Sequence, residues 1–195
     1  WGEIFANIVE EGDTLDYTIT YNLENLLMND TIESVAQGEA LEFTLMPTDT
    51  SLYTLPDSIT INDRRDHDYY DSATGKVSIP SVTENLTIIA EAVAKSITKD
   101  STLTNVDVDK VDIVGSSESD TINVSLNGVT TPTTTVAAGT STVLTLSGEN
   151  SLGEVTNEGT LVIQAAEGAT LAEGTTITNE GTLTDETGLV TEVAG

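Results

Sequence analysis

Cysteine is absent from the 195 residues. No disulfide can staple this chain, although that absence leaves the cellular compartment open. Basic residues are almost as scarce: 6 Lys and Arg stand against 33 Asp and Glu, for a net charge of −27. Nucleic acid is excluded as a partner, because phosphate contacts need Lys and Arg. An anionic membrane surface is excluded for the same reason. No apolar run approaches the ~18 residues of a transmembrane helix, so membrane insertion is not expected. Histidine occurs once and proline four times. Residue 1 is Trp rather than Met, so either a leader has been removed or the sequence belongs to a longer chain.

What is present is unevenly distributed. Every aromatic residue lies between Trp1 and Tyr70, and every basic residue between Arg64 and Lys110. After Lys110 the chain is mostly Thr, Val, Gly, Glu, Leu and Ala, with no aromatic and no base. Two differently built cores explain such a split. The predicted organisation is a lead-in at 1–13, a β module at 14–95, a linker at 96–104 and a second β module at 105–195.

The first module shows strand periodicity. Tyr17, Ile19 and Tyr21 alternate with Thr18 and Thr20, and Leu41, Phe43 and Leu45 alternate with polar residues. Period two places each set on one face of a strand. Further short strands are predicted at 58–62, 76–79 and 86–93. Pro47 and Pro56 punctuate a loop, and Ala73-Thr74-Gly75 forms a turn in which glycine supplies the positive φ of a tight hairpin. Residues 63–70 read as a polar excursion.

The ordered words Tyr17-Thr18-Ile19-Thr20-Tyr21-Asn22-Leu23, Gly38-Glu39-Ala40, Tyr53-Thr54-Leu55-Pro56-Asp57-Ser58-Ile59-Thr60-Ile61, Tyr70-Asp71 and Thr74-Gly75-Lys76-Val77-Ser78-Ile79-Pro80-Ser81-Val82-Thr83-Glu84-Asn85-Leu86-Thr87-Ile88 resemble a bacterial immunoglobulin-like repeat. The resemblance covers about residues 15–95. It implies a small all-β sandwich of the kind carried by bacterial surface proteins and phage structural proteins. The family usually places a glycine turn after the strand at 59–61; this chain has Asn62-Asp63-Arg64-Arg65 there.

The second module carries an internal repeat. Val155-Thr156-Asn157-Glu158-Gly159-Thr160-Leu161 returns 22 residues later as Ile177-Thr178-Asn179-Glu180-Gly181-Thr182-Leu183. A period of about 20–25 residues marks stacked repeats, in which no copy buries its apolar face alone. Apolar segments of about four residues between regular glycines predict a short parallel β-solenoid with about 4.8 Å between rungs. Asn157 and Asn179 are expected one above the other, as an amide ladder. The alternative is a second sandwich whose repeat is accidental. The predicted fold is thus all-β: an immunoglobulin-like sandwich followed by a β-solenoid.

Candidate chemistry concentrates in residues 63–71, Asp-Arg-Arg-Asp-His-Asp-Tyr-Tyr-Asp. Arg64, Arg65, His67 and Tyr69 are the predicted partner-binding residues, since Arg and Tyr are enriched at interfaces. The plainer reading is a solvated loop whose charges pair locally. In an extended segment Asp66 and Asp68 face away from His67, which disfavours a joint metal site. Asp107, Asp109, Asp112 and Asp120 lack the spacing of a calcium loop and read as the wet face of strands. Neither a nucleophile with its base nor a phosphate loop is evident, so no catalytic residue, metal or cofactor is assigned. The expectation is a non-catalytic structural or adhesive module, extracellular, on a bacterial cell surface or a phage virion as a fibre or capsid decoration. The expected partners are further copies of the chain or a larger assembly, with a host-surface glycan or protein as ligand. The rival is a carbohydrate-binding module or an accessory to a carbohydrate-active enzyme.

Overall fold

In the computed structural model the chain divides into two compact units, Trp1–Val93 and Ala94–Gly195. The structure describes residues 15–66 and 68–190, together with the backbone of Val193–Ala194. The lead-in predicted at 1–13 lies outside the described residues. Among the described residues every regular element is a β-strand.

In the first unit the predicted alternations become strands. β1 (Asp16–Glu24), β2 (Leu26–Met28), β3 (Ser34–Ala36) and β4 (Leu41–Pro47) are followed by β5 (Tyr53–Thr54), β6 (Ile59–Ile61) and β7 (Arg64–Asp66). β8 (Tyr70–Asp71), β9 (Lys76–Ile79) and β10 (Leu86–Glu91) complete the two main sheets. One sheet has the order β3-β1-β10-β6-β7 and the other β2-β4-β9-β8. Most pairs are antiparallel, but the first and last strands run parallel, Ile19 opposite Leu86 through Glu24 opposite Glu91. The parallel pair is possible because some sixty residues of chain separate these strands, ample for the crossover a parallel pair requires. β5 forms a short ladder with β11 (Val93–Ala94), where the chain passes to the second unit.

The inward residues are those of the period-two pattern. Ile19, Leu41, Phe43, Leu45, Val77 and Ile88 are buried. Tyr21 on β1 meets Phe43 on β4 edge to face, with centroids 5.4 Å apart, which joins the two sheets. Such a pair adds about 0.5–1.5 kcal/mol beyond area burial. The unit is an immunoglobulin-like β-sandwich. Gly75 closes the β8–β9 turn at φ +76°, where a side chain would run into the Leu45 carbonyl.

The second unit is a parallel β-solenoid. β12 (Ser101–Thr104), β14 (Thr121–Asn127), β16 (Ser141–Ser147), β19 (Thr160–Ala165) and β22 (Thr182–Asp185) stack as one face. β13 (Val111–Ile113), β15 (Thr133–Val136), β18 (Glu154–Asn157), β21 (Thr176–Asn179) and β23 (Val193–Ala194) stack as another. A shorter third side is built from β17 (Glu149–Asn150), β20 (Thr170–Leu171) and the bridges Asp107 to Thr130 and Thr130 to Ser151. All these pairings are parallel and in register. Thr121 pairs with Ser141, Ser141 with Thr160 and Thr160 with Thr182, so the turns advance by 20, 19 and 22 residues.

Like stacks on like inside the solenoid. Val124, Leu144 and Ile163 form one buried column, and Leu126 and Leu146 belong to another. A third runs Ile97, Ile113, Val136, Asn157, Asn179, so the predicted amide ladder continues a column that is apolar in the earlier turns. The stretch 96–104, predicted as a linker, holds β12 and the Ile97 bridge and forms part of the first turn. Its Ser and Thr are strand residues here because one apolar residue in β12, Leu103, continues the Leu126 and Leu146 column. At the open edge below, the Asp100 carboxylate accepts a 2.8 Å hydrogen bond from the Asn123 N–H, standing in for a strand that is not there. That bond, with the one from the Asn123 side chain, holds the Asp100 carboxyl below the usual range.

Thr142 is the misfit in this core. It stacks between Ile122 and Leu161, is 1% exposed, and its hydroxyl has no hydrogen-bond partner. A buried unsatisfied hydroxyl costs about 1–3 kcal/mol. Thr142→Val replaces it with a methyl of similar size and is expected to stabilise the protein by about 1 kcal/mol. Urea unfolding checks this: an unchanged or lower midpoint would mean that the hydroxyl is satisfied in solution.

Candidate functional site

The β6–β7 hairpin organises the site. Ile61 pairs with Arg64, leaving Asn62 and Asp63 as a two-residue turn at φ 47° and 61°. Both central residues are left-handed, as the mirror-image hairpin turn requires, and Asn and Asp tolerate this better than other non-glycine residues. This turn takes the place of the glycine turn expected from the immunoglobulin-like resemblance. It is tied down by its own side chain: Asn62 Oδ1 accepts from the Thr87 N–H at 2.7 Å, and Asn62 Nδ2 donates to the Asn85 carbonyl at 2.9 Å.

Strand alternation then sorts the two arginines. Arg64 lines a cleft of about 460 Å³, together with Asn62, Asp66 and Tyr69. Arg65 points to the other side, where its Nε donates to Ser58 Oγ at 2.6 Å. The predicted site is therefore divided: Arg64 and Tyr69 come together, and Arg65 does not join them. His67 lies outside the described residues. Asp66 positions Tyr69 by accepting its backbone N–H at 2.8 Å. Tyr69 is 42% exposed, one of the larger apolar surfaces left open on the molecule.

The opposite wall comes from the segment after Pro80. Ser81, Thr83 and Glu84 supply polar groups, and Ile79, Val82 and Leu86 form a buried floor. Nothing in the sequence placed this wall, because its residues lie well away in sequence and carry no motif. Asp66 had a signal, namely position in the same polar stretch as Arg64; Asn62 had none, since it reads as the end of the strand predicted at 58–62 and instead opens the turn. The cleft thus offers a guanidinium, two carboxylates, two hydroxyls and a phenol ring over an apolar base. Such a mixture suits a small polar ligand with one flat face, held by a few convergent groups.

The residues just beyond the cleft are structural. Tyr70 is buried and donates its hydroxyl to the Pro56 carbonyl at 3.0 Å. Burial, with Asp71 and Asp57 nearby, pushes its pKa up to about 12. Asp71 caps the following turn, accepting from Thr74 Oγ1 at 2.8 Å and the Ala73 N–H at 2.9 Å, which lowers its pKa. Lys76 pairs with Glu42 at 3.3 Å, and Ser78 hydrogen-bonds to the same carboxylate. Among the described residues no three His, Cys, Asp or Glu side chains are grouped so as to hold a metal ion. Asp112, one of the acidic residues of the strand pattern, accepts from Ser96 at 2.6 Å and pairs with Lys110 at 3.8 Å. Among the described residues no helix is long and apolar enough to cross a membrane.

In comparisons with known proteins, no family model matches this chain, and no curated protein and no solved structure matches it.

Proposed function

We propose that this chain is a non-catalytic structural and adhesive module of a surface-displayed assembly. The cleft beside the Asn62-Asp63 hairpin is its ligand-binding site, and the stacked β units act as spacers. The cleft carries this reading: Arg64 and Tyr69 converge on a rigid sheet edge, and the Asp66 oxygen is engaged in positioning rather than in activating a nucleophile. The resemblance of residues 15–95 to bacterial immunoglobulin-like repeats supports a place outside the cell, on a bacterial surface or a phage virion. The −27 charge supports it too, as a surface that stays soluble and avoids nucleic acid. Among the described residues β12 and β22 are the outer strands of their sheet, and such edges favour a homo-oligomer or a larger assembly as the working form.

A second reading is favoured by Tyr69. An exposed aromatic ring beside hydrogen-bonding side chains also suits a carbohydrate-binding module. A glycan array and a panel of host-surface proteins, probed with the full chain, test both readings. Arg64→Ala and Tyr69→Ala are expected to weaken binding at least about ten-fold each, as interface anchors do, with Arg65→Ala nearly silent. Binding that survives both of the first two substitutions would remove the cleft from the proposal. Glycan cleavage would overturn the non-catalytic assignment.

A further inference from the structure

One face of the solenoid differs in charge from the rest of the molecule. One residue in five of the chain is charged. In β12, β14, β16, β19 and β22 the only charged residue is Asp185, at the end of the last strand. Asp185 falls on the inward column, above Val124, Leu144 and Ile163, and its carboxylate turns into the next loop to accept the Thr187 N–H. The outward positions are therefore uncharged. Thr121, Ser141, Thr160 and Thr182 form one row, and Asn123, Val143, Val162 and Thr184 the next. Carboxylates stand at the margins, among them Asp100 under Asn123, Asp120 just before Thr121, Glu158 and Glu180 at the corners, and Glu186 held at 3.0 Å by Gln164. The other faces are interrupted, by Asp112 and Glu154 on one and by Asp107 and Glu149 on the third.

We infer that this face is where a second copy of the chain docks. Two bodies of charge −27 repel wherever carboxylates meet, and the outward positions of this face bring none together. Nucleic acid and anionic glycans find no base on it, and a neutral sugar finds no aromatic ring. Hydroxyl and amide side chains are donors and acceptors at once, so a two-fold rotation of the face pairs with itself. Val143 and Val162 supply an apolar centre within that polar border, the usual layout of an interface. Five strands about 4.8 Å apart, with up to seven residues of about 3.3 Å, cover on the order of 450 Å² per copy, which places the contact among weak, reversible interfaces. The inference deepens the assembly part of the proposed function and needs no ligand, so its outcome is separate from that of the cleft.

Sedimentation equilibrium of the full chain tests it, from about 1 µM to about 300 µM, a range that brackets a weak interface. The expected result is reversible dimerisation that strengthens in ~1 M salt, where the Debye length falls to about 3 Å and the mutual repulsion is screened. Val143→Lys and Thr145→Lys are each expected to raise the dissociation constant at least about ten-fold, although both reduce the net repulsion. Thr156→Lys, on the neighbouring face, does not raise it, since there the added charge only eases the repulsion. Thr145→Lys changes only an outward hydroxyl of the same face, so it reads the interface without disturbing the stack. A wild type that stays monomeric at every concentration in both salts overturns the inference. So does dimerisation that Val143→Lys and Thr145→Lys leave intact.

Discussion

Gly159→Ala is expected to destabilise the protein by about 3 kcal/mol or more, which for a chain of this size lowers Tm by roughly 6–12 °C. The reason is space rather than backbone freedom. Between β18 and β19 the chain turns its corner in only two residues, Glu158 and Gly159. That tight corner sits directly on the turn below. A Cβ on Gly159 would overlap the Thr140 carbonyl oxygen and lie 2.7 Å from that of Ala137. Both are backbone atoms held by hydrogen bonds: the Thr160 N–H donates to Thr140 O at 2.8 Å and the Thr140 N–H to Ala137 O at 3.1 Å. No side chain can swing aside to make room. Gly181 repeats the arrangement one turn up, its missing Cβ falling on the Gly159 carbonyl, so Gly181→Ala is expected to behave alike.

Gly168→Ala is the control. Gly168 has φ +79° with nothing within 4 Å of an added Cβ. Alanine there bears only the left-handed backbone penalty, about 1–2 kcal/mol. Thermal unfolding followed by circular dichroism separates the two. If Gly159→Ala proves no worse than Gly168→Ala, the close approach of successive corners is not what the repeated Asn-Glu-Gly word encodes.

That word explains why the later turns of the solenoid were legible. Each copy of Asn-Glu-Gly sets a stacked amide beside a crowded corner, with Asn157 buried and Asn179 half-buried, two demands that few residues meet, so the sequence repeats visibly. The earlier turns ask less. Ile97, Ile113 and Val136 fill the same column with any apolar residue, and their corners are wider. Residues 96–104 therefore carried no signature and read as a linker. In the sandwich, alternation was strong where strands are buried on one face, as at Leu41, Phe43 and Leu45. It was weak for β7, whose Arg64, Arg65 and Asp66 lie at a sheet edge. The candidate site was legible in part for the same reason. Polar density pointed to residues 63–71, but once β7 is known to be extended, alternation alone separates Arg64 from Arg65. The far wall at 81–84 depends on how β9 and β10 are connected, which local pattern does not reveal.

Asn157→Val is expected to cost about 2–4 kcal/mol, against about 1 kcal/mol for Asn179→Val. Asn157 is fully buried. Its Nδ2 donates to Asn179 Oδ1 at 2.6 Å and to the Thr182 carbonyl at 3.0 Å, and its Oδ1 accepts the Gly159 N–H at 3.2 Å. One side chain thus serves the turn above and its own corner together. Valine matches the shape of Val136 directly below in the column, so packing is kept and the loss is chiefly polar. It strands the Gly159 N–H, whose bond to Asn157 Oδ1 is buried, and takes one of its bonds from the Thr182 carbonyl. Asn179 is only half-buried, and its Nδ2 bond to the Gly181 carbonyl, at 3.1 Å, is exposed, so water replaces it at small cost. The double variant should cost less than the sum of the singles by roughly 1 kcal/mol, because the shared amide–amide bond is lost only once. Urea unfolding of the four proteins measures this cycle. Equal costs for the two singles, or strict additivity in the double, would mean that the stacked amides do not act as a ladder.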